Sequence, residues 1–318
     1  MLGDELTIRP ATLGDADELA EFLTRCALTY LGRPSSRQEA IERLTQSGSN
    51  PEATALVAVT PDGRVVGFGN VWVAGQDDIK CFARVDPEMT GRGVGTTLLD
   101  RLESRAQELV AEAEVVNHPV LTATQWAQDT AGPNLLLSRG YSEARFFLRM
   151  IADNLDDVDR HDTPLPPGIA IRSVQPGRDD DDLYDARREA FAEEWGQSHV
   201  DTQEWWRERR DLETAAFDPS LWFVAVADRI VGFVIAREEL ESDGRLGYIS
   251  DIGVRPEWRG NGLGYALLVQ SLREMHRRGL GSAALNVDSD NRTSALRLYR
   301  KAGMRELPHF TIWGKQLD

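Results

Sequence analysis

Four short patterns in the first half of this 318-residue chain come back, in the same order, in the second half. Leu6-Thr7-Ile8-Arg9-Pro10 returns as Ile169-Ala170-Ile171-Arg172-Ser173, 163 positions on, and Val65-Val66-Gly67-Phe68 returns as Ile230-Val231-Gly232-Phe233, 165 positions on. Gly91-Arg92-Gly93-Val94-Gly95 returns as Gly260-Asn261-Gly262-Leu263-Gly264 after 169 positions, and Ser138-Arg139-Gly140-Tyr141 as Lys301-Ala302-Gly303-Met304 after 163. Offsets near half the length describe one domain duplicated, not a solenoid with a period of roughly 20–50 residues. The length agrees, because a single core stops growing beyond about 250–300 residues. We expect a first domain over 1–153 and a second over 169–318. Between them, residues 154–168 are rich in Asp and carry Pro164, Pro166 and Pro167, the composition of an exposed, stiff linker.

Each half reads as a strand-dominated mixture. In the second, Ile169–Val174 alternates like a strand, 182–195 and 201–212 read as helices, and Leu221–Ala227, Ile230–Arg237 and Leu246–Val254 are β-rich runs. Gly262–Arg278 sets Leu263, Ala266, Leu267, Val269 and Leu272 near helical spacing and stops at Gly279, a natural helix end. A strand over Ser282–Val287, a helix over 292–302 and a closing strand over Phe310–Lys315 complete the half. The expected class is α/β (α+β), with two tandem domains, each a mixed central sheet flanked by helices.

Charge removes several function classes. Lys plus Arg number 36 against 52 for Asp plus Glu, a formal net charge of −16, so a sequence-independent nucleic-acid binder is excluded. No run of 18 apolar residues occurs, and the opening Met1-Leu2-Gly3-Asp4-Glu5 is acidic where a secretory leader is basic. We expect no membrane partner and a cytoplasmic location. Cys26 and Cys81, with no CxxC pattern, form neither a zinc site nor a disulfide framework and read as buried thiols in a reducing compartment.

The spacing G-x-G-x-G, between a strand ending at Val254 and a helix beginning near Gly262, lets a ligand approach the backbone closely. A helix start offers free amides and about half a positive charge, which suits a pyrophosphate. The dinucleotide fingerprint needs a different spacing, and the NTPase loop needs a Gly-Lys-Ser/Thr that is absent. A nicotinamide-dependent oxidoreductase is therefore disfavoured, and a plain tight turn stays open.

Arg259-x-x-Gly262-x-Gly264, after the Pro256-Glu257-Trp258 turn, resembles the (Gln/Arg)-x-x-Gly-x-(Gly/Ala) motif of the GNAT superfamily of acetyl-CoA-dependent N-acetyltransferases. Asn291-Arg292-Thr293-Ser294-Ala295-Leu296-Arg297-Leu298-Tyr299, followed by Lys301-Ala302-Gly303-Met304, resembles that family's second motif. The resemblance covers the second half fully and the first more weakly, and the layout is similar to that of double-GNAT proteins. It implies acetyl-CoA as cofactor and a primary amine, of a small molecule, as acceptor. It implies that the strand Ile252, Gly253, Val254 pairs with the pantetheine arm, and that Arg259, Gly260, Asn261, Gly262, Leu263 and Gly264 hold the pyrophosphate. Asn291 would contact the cofactor near its pantetheine, or merely cap a helix. Tyr299 would lie near the sulfur and protonate the leaving thiolate, or be a core aromatic.

The base is less legible. Several family members carry a glutamate six positions before the last Val of the central strand, where this chain has Tyr248, and Ile79 in the first half. Asp251, Glu238 and Glu239 remain, beside a water-relayed path. Regular strand alternation sets Asp251 on the face opposite Tyr248. Trp195, Trp205 and Trp206 with Glu193, Glu194 and Asp201 suit an organic cation, or are core tryptophans beside a solvated face. In the first half Thr90 stands where the motif opens with Arg or Gln, Gln128 falls opposite Asn291 and Leu136 opposite Tyr299. That half is expected to be catalytically silent, with a possible second cofactor site at Val85, Gly91, Arg92, Gly93, Val94 and Gly95. The competing readings are a non-catalytic acyl-CoA-binding module and a protein acetyltransferase with an open acidic groove.

Overall fold

The repeated opening motif is a strand locked to the helix after it. Arg9 Nη2 lies 2.5 Å from Asp15 Oδ1, and Asp15 also accepts the Thr12 amide at 2.7 Å. In the second half Arg172 grips Asp179 at 2.5 Å, and Asp179 accepts the Gln175 amide at 2.8 Å. The guanidinium beside each aspartate holds its carboxyl below the usual carboxylate range, so a recurring sequence pattern is a recurring ion pair.

The computed structural model describes residues 6–31, 34–46, 50–74, 78–112, 119–192, 218–241, 244–290 and 295–317. The first half runs β1 (Thr7–Pro10), α1 (Ala16–Leu31), α2 (Arg37–Leu44), a one-turn α3 (Pro51–Thr54), β2 (Ala55–Val59), β3 (Val65–Val73) and β4 (Asp78–Val85). It continues through α4 (Val94–Glu112), β5 (Val120–Trp126), α5 (Ala131–Ser138) and β6 (Ser142–Ala152). The second half runs β7 (Ala170–Ser173), α6 (Asp180–Phe191), β8 (Phe223–Val226), β9 (Ile230–Glu241), β10 (Gly244–Val254), α7 (Leu263–Arg277), β11 (Ala283–Asp288), α8 (Ala295–Lys301) and β12 (Arg305–Gln316). The helix expected over 201–212, the tryptophans and acids singled out around it, and Asn291 lie outside the described residues.

Contacts divide the chain into Met1–Phe146 with His309–Asp318, and Phe147–Pro308. The first unit's sheet runs β1-β2-β3-β4-β5 and is completed by β12, whose Phe310–Gln316 pair antiparallel with Trp126–Val120. The second unit's sheet begins with Phe147–Ala152 of β6, antiparallel to Asp288–Ala283, and continues β11-β10-β9-β8-β7. In each unit the final strand therefore comes from the other half of the sequence, and Trp313 and Met150 on these strands are buried. The contact division departs from limits drawn at 153 and 169 for this reason. Nor is 154–168 a tether along its whole length: Leu155 and Val158 are buried in the second unit's core, and Arg273 Nη2 donates to the His161 carbonyl at 2.7 Å.

A buried ion ties the end of each central strand to its surroundings, with the sign reversed between the units. In the second, Arg255 is 1% exposed; its Nε donates to the Ile230 carbonyl at 2.7 Å and its Nη2 to Asp182 of α6 at 2.8 Å. In the first, 169 positions earlier, Asp86 accepts from Arg25 of α1 at 3.0 Å and from Arg64 at 2.8 Å. Cys26 and Cys81 are buried thiols, pushed up to about 12 by burial.

Candidate active site

The site begins where a parallel strand pair comes apart. β10 and β11 pair only at Gly247–Ala283, Tyr248–Ala284 and Ile249–Leu285. Beyond Ile249, β10 stays with β9 as far as Val254–Gly232, whereas β11 stays with β6 as far as Asp288–Phe147. The edge of β10 from Ser250 to Val254 thus faces a gap, and strand edges carry N–H and C=O groups that an extended ligand can satisfy. Val254, Ile252 and Gly253, expected to line a pantetheine arm, lie on that edge.

A β-bulge sits at the same place. The register with β9 slips between Ile249–Ala236 and Asp251–Ile235, so Ser250 is the extra residue. Arg237 faces Tyr248 and Ile235 faces Asp251, which puts Tyr248 and Asp251 on one face, not on opposite faces as regular alternation implies. That face is the α6 side: Arg187 Nη2 of α6 reaches Asp251 Oδ1 at 3.4 Å, and a Cβ on Gly253 would lie 2.9 Å from Ala190. The Tyr248 hydroxyl accepts from Asn286 Nδ2 at 3.1 Å, and Arg237 stacks on its ring at 4.6 Å. Burial first, then Glu239, pushes the Tyr248 phenol up. Asn286 Oδ1 is buried with no hydrogen-bond partner among the described residues.

After Val254 the chain turns through Pro256–Trp258 into the glycines. Gly260 and Gly262 hold φ of +79° and +81°, a region that side chains strain, and no atom of the described residues lies within 4 Å of where a Cβ would stand on either. Gly264 has a different task. A Cβ there would lie 3.1 Å from Leu298 of α8 and 3.7 Å from Val254, so its absence lets strand, turn and helix close together. The first-turn amides of α7, at Leu263 and Gly264, have no partner within their own helix. Arg259 shapes the turn: its amide donates to the Pro256 carbonyl at 3.2 Å, its Nε to Val254 at 3.2 Å and its Nη2 to Ala190 at 2.8 Å. Asn261 Nδ2 donates to the Trp258 carbonyl at 3.4 Å.

Tyr299 is buried on α8, next to Leu298. Glu238 is not with these groups. It faces Gly247 and lies 2.7 Å from Arg245 and 3.8 Å from Arg278, at the far end of α7 from the glycines. Glu239 is ion-paired with Arg237 at 2.6 Å.

The first unit repeats the geometry with different side chains. β4 and β5 pair in parallel from Asp78–Val120 to Cys81–Ala123 and then separate. Its β4 ladder with β3 runs without a bulge from Val73–Ile79 to Gly67–Val85. Gly91 and Gly93 hold φ of +80° and +82°, and a Cβ on Gly95 would meet Leu135 at 3.3 Å and Val85 at 3.4 Å, as Gly264 meets Leu298 and Val254. The Tyr299 carbonyl accepts from Ala302 and Met304, and the Leu136 carbonyl accepts from Arg139 and Tyr141 in the same pattern. Leu136 therefore occupies the place of Tyr299. A cavity of about 480 Å³ fills the separated pair, lined by Val85, Gly91, Gly93, Val94, Gly95 and Leu136 among others.

The Acetyltransferase (GNAT) family profile matches residues 17–127 and, again, 181–304. This chain belongs to the GNAT acetyltransferase family. Its activity is that of an acetyl-CoA N-acetyltransferase, and the two matched GNAT regions fall one in each half of the sequence. It is similar to a mycothiol acetyltransferase of Stackebrandtia nassauensis, 31% identical over 317 residues, spanning 96% of this chain and 94% of that one. It is 32% identical over 291 residues to a mycothiol acetyltransferase of Geodermatophilus obscurus, 88% of each chain. Among solved structures, a GCN5-related N-acetyltransferase from Sphaerobacter thermophilus superposes with a TM-score of 0.79 at 28% identity, covering 99% of this chain and 97% of that one. A tandem GNAT protein from the clavulanic acid biosynthesis pathway shares the fold, with a TM-score of 0.70 at 18% identity over 98% of each chain.

Seen as a GNAT, the chain holds two features that reading the sequence missed. The Ser250 bulge has no composition signal, because it is a register slip between two strands. The Asn286–Tyr248 contact joins residues 38 apart that only the parallel pairing brings together.

Proposed function

We propose that the second unit transfers the acetyl group of acetyl-CoA to a primary amine of a small molecule by direct attack on the thioester. The carrying observation is the contrast between units: both have the separated strand pair and the glycine turn, but the second sets a tyrosine where the first has Leu136. In this reading the diphosphate rests on the amides from Gly260 to Gly264 and pantetheine lies along Ile252–Val254. The acyl carbon then lies by the Ser250 bulge.

An amine with a lysine-like pKa near 10.4 is neutral at pH 7 at a cost of about 4.6 kcal/mol. Holding it against the thioester contributes several kcal/mol by orientation. The buried, unpartnered Asn286 Oδ1 is an acceptor for the amine or for a water that takes its proton, on the face that Tyr248 and Asp251 share. Asp251, bonded to Arg187, orients that face, and Glu238 drops out as a base because of its position. Tyr299 donates a proton to the departing sulfur.

The first unit binds the coenzyme in its own cavity without turning it over. For the acceptor, the relatives named mycothiol acetyltransferase make a mycothiol-related amine the first to try. Tyr248, where glutamate-bearing family members have their base, argues for a panel of amines beside it. The test is thiol release from acetyl-CoA over that panel, with the wild type and Tyr299→Phe. Turnover that falls about 10²–10⁴-fold in the variant with acetyl-CoA KM retained supports the assignment. Turnover unchanged in Tyr299→Phe removes Tyr299 from the mechanism, and coenzyme binding with no turnover on any amine favours a binding module.

A further inference from the structure

The two units differ most sharply at one matched position of the central strand. On β4, Val85 faces Gly67 and Arg84 faces Phe68; on β10, Val254 faces Gly232 and Gly253 faces Phe233. An arginine thus stands in the first unit where the second has a glycine so tightly enclosed that a Cβ would lie 2.7 Å from Phe233.

Arg84 is 4% exposed and lines the cavity between the separated strands. Its side chain crosses the gap, with Nη1 donating to the Thr124 carbonyl of β5 at 3.0 Å and to Ala83 at 2.7 Å. The guanidinium stacks on the rings of Phe82 at 4.5 Å and Trp126 at 4.2 Å. Its other two nitrogens, Nε and Nη2, are buried with no hydrogen-bond partner among the described residues. Burial first, and then the nearby Arg43, pushes this guanidinium down to about 10. Asp129 lines the same cavity, but its oxygens are engaged by Gln125 Nε2 and by the amides of Ala131 at 2.9 Å and Gly132 at 3.1 Å.

Nε and Nη2 form one edge of the guanidinium, with two N–H bonds pointing the same way. That edge matches the two oxygens of a carboxylate. A buried cation with its fork idle is unfavourable until an anion meets it, and the cavity that Arg84 lines is the place for that anion. We infer that the first unit's cavity takes a ligand that ends in a carboxylate, gripped at two points by Arg84. With the Gly91–Gly95 turn at the same cavity holding a diphosphate, the ligand is the coenzyme A monothioester of a dicarboxylic acid. A free carboxylic acid is the other source of the same group. The inference rests on the reading of the first unit as a coenzyme site.

The experiment is calorimetry on the full chain with coenzyme A, acetyl-CoA, succinyl-CoA and free succinate, for wild type, Arg84→Met and Arg84→Lys. The expected result is a site that binds succinyl-CoA at least tenfold tighter than acetyl-CoA in the wild type. That preference should vanish in Arg84→Met and largely vanish in Arg84→Lys, which keeps the charge but loses the fork. Succinate binding as tightly as succinyl-CoA, with the same dependence on Arg84, keeps the carboxylate grip and overturns the thioester as its source. Equal affinity for acetyl-CoA and succinyl-CoA, or a preference that survives Arg84→Met, overturns the inference while leaving the coenzyme site standing. A single coenzyme A site per chain, weakened by Gly262→Glu and untouched by Gly93→Glu, overturns the coenzyme reading of the first unit itself. If the Arg84 variants fail to fold, the four-ligand comparison on Gly262→Glu, where the second unit's site is weakened and the first unit's is intact, decides: no succinyl-CoA preference at the tighter site overturns the inference.

Discussion

Glutamate at Gly262, compared with glutamate at Gly93, separates the conformational role of the glycine turn from its role toward an anion. Both glycines have left-handed backbones, with φ of +81° and +82°, and neither has a heavy atom within 4 Å of where a Cβ would stand. Among the described residues nothing crowds a Cβ at either position, and the conformational cost is equal, about 1–2 kcal/mol for an L-residue held left-handed. For a unit of this size that lowers Tm by roughly 2–8 °C in either variant. The carboxylate differs in its consequences. At about 5 Å from a phosphate charge, with an effective dielectric between water and a protein surface, repulsion is roughly 1–3 kcal/mol per charge pair. Gly262→Glu should then raise KM for acetyl-CoA by about 5- to 150-fold, while Gly93→Glu leaves kcat and KM within a factor of about two. Thermal melts and steady-state thiol release read both quantities on the same samples. If the two variants lose the same Tm and only Gly93→Glu loses turnover, the assignment of the catalytic unit is inverted. If neither changes KM, the turn does not hold the diphosphate.

Asp86→Asn should destabilise the first unit by roughly 2–4 kcal/mol, on the low side for a broken buried pair because Arg25 and Arg64 keep partial access to water. Desolvation raises the Asp86 carboxyl, but the Glu88 amide, Arg25 and Arg64 outweigh it and leave the group below its ordinary value. Its contribution is thus complete above the unfolded value and is lost as pH falls through the folded one, so the Tm gap between wild type and variant should be flat near neutrality and close in acid. Asp218, held at about 2 chiefly by Arg278, should behave alike in the second unit. Asp218→Asn should remove part of the wild type's stability loss between the usual carboxylate range and pH 2, by an amount that added salt reduces because the group is half exposed.

The duplication, the glycine turn and the strand leading into it were readable because each is local: a repeat, a spacing, an apolar run. The mapping of Tyr299 onto Leu136 was readable for the same reason, since both helices end in the same pattern of carbonyls capped before a glycine. What could not be read depends on pairing between distant segments. The exchange of final strands leaves no trace in composition, because β6 and β12 look equally strand-like whichever edge they join. Period-two alternation puts Asp251 on the face opposite Tyr248, and the Ser250 bulge brings it to the same face. Nothing local in the sequence tells that the register of Glu238 opposite Gly247 carries it to the far end of α7. The charge reversal between Asp86 and Arg255 is visible in sequence only as unrelated residues at one offset, and becomes one device when each is seen holding its opposite charge.

Three matched positions describe how the two copies parted. By ladder register Asp251 corresponds to Phe82 and Gly253 to Arg84, and by helix end Tyr299 corresponds to Leu136. Each change puts a side chain without an acidic or phenolic proton, or a bulky one, where the second unit has Tyr299, Asp251 or Gly253. None touches the positive-φ glycines or the gap between the strands. A copy kept only as scaffold would be more stable with that gap packed, because unfilled volume and an unpaired buried cation both count against the folded state. The first unit instead keeps a cavity of about 480 Å³ and sets an arginine in its wall. A tyrosine replaced by Leu136 beside a retained, charged cavity fits a site that still receives a ligand, and ligand discrimination at Arg84 bears most directly on what the duplication is for.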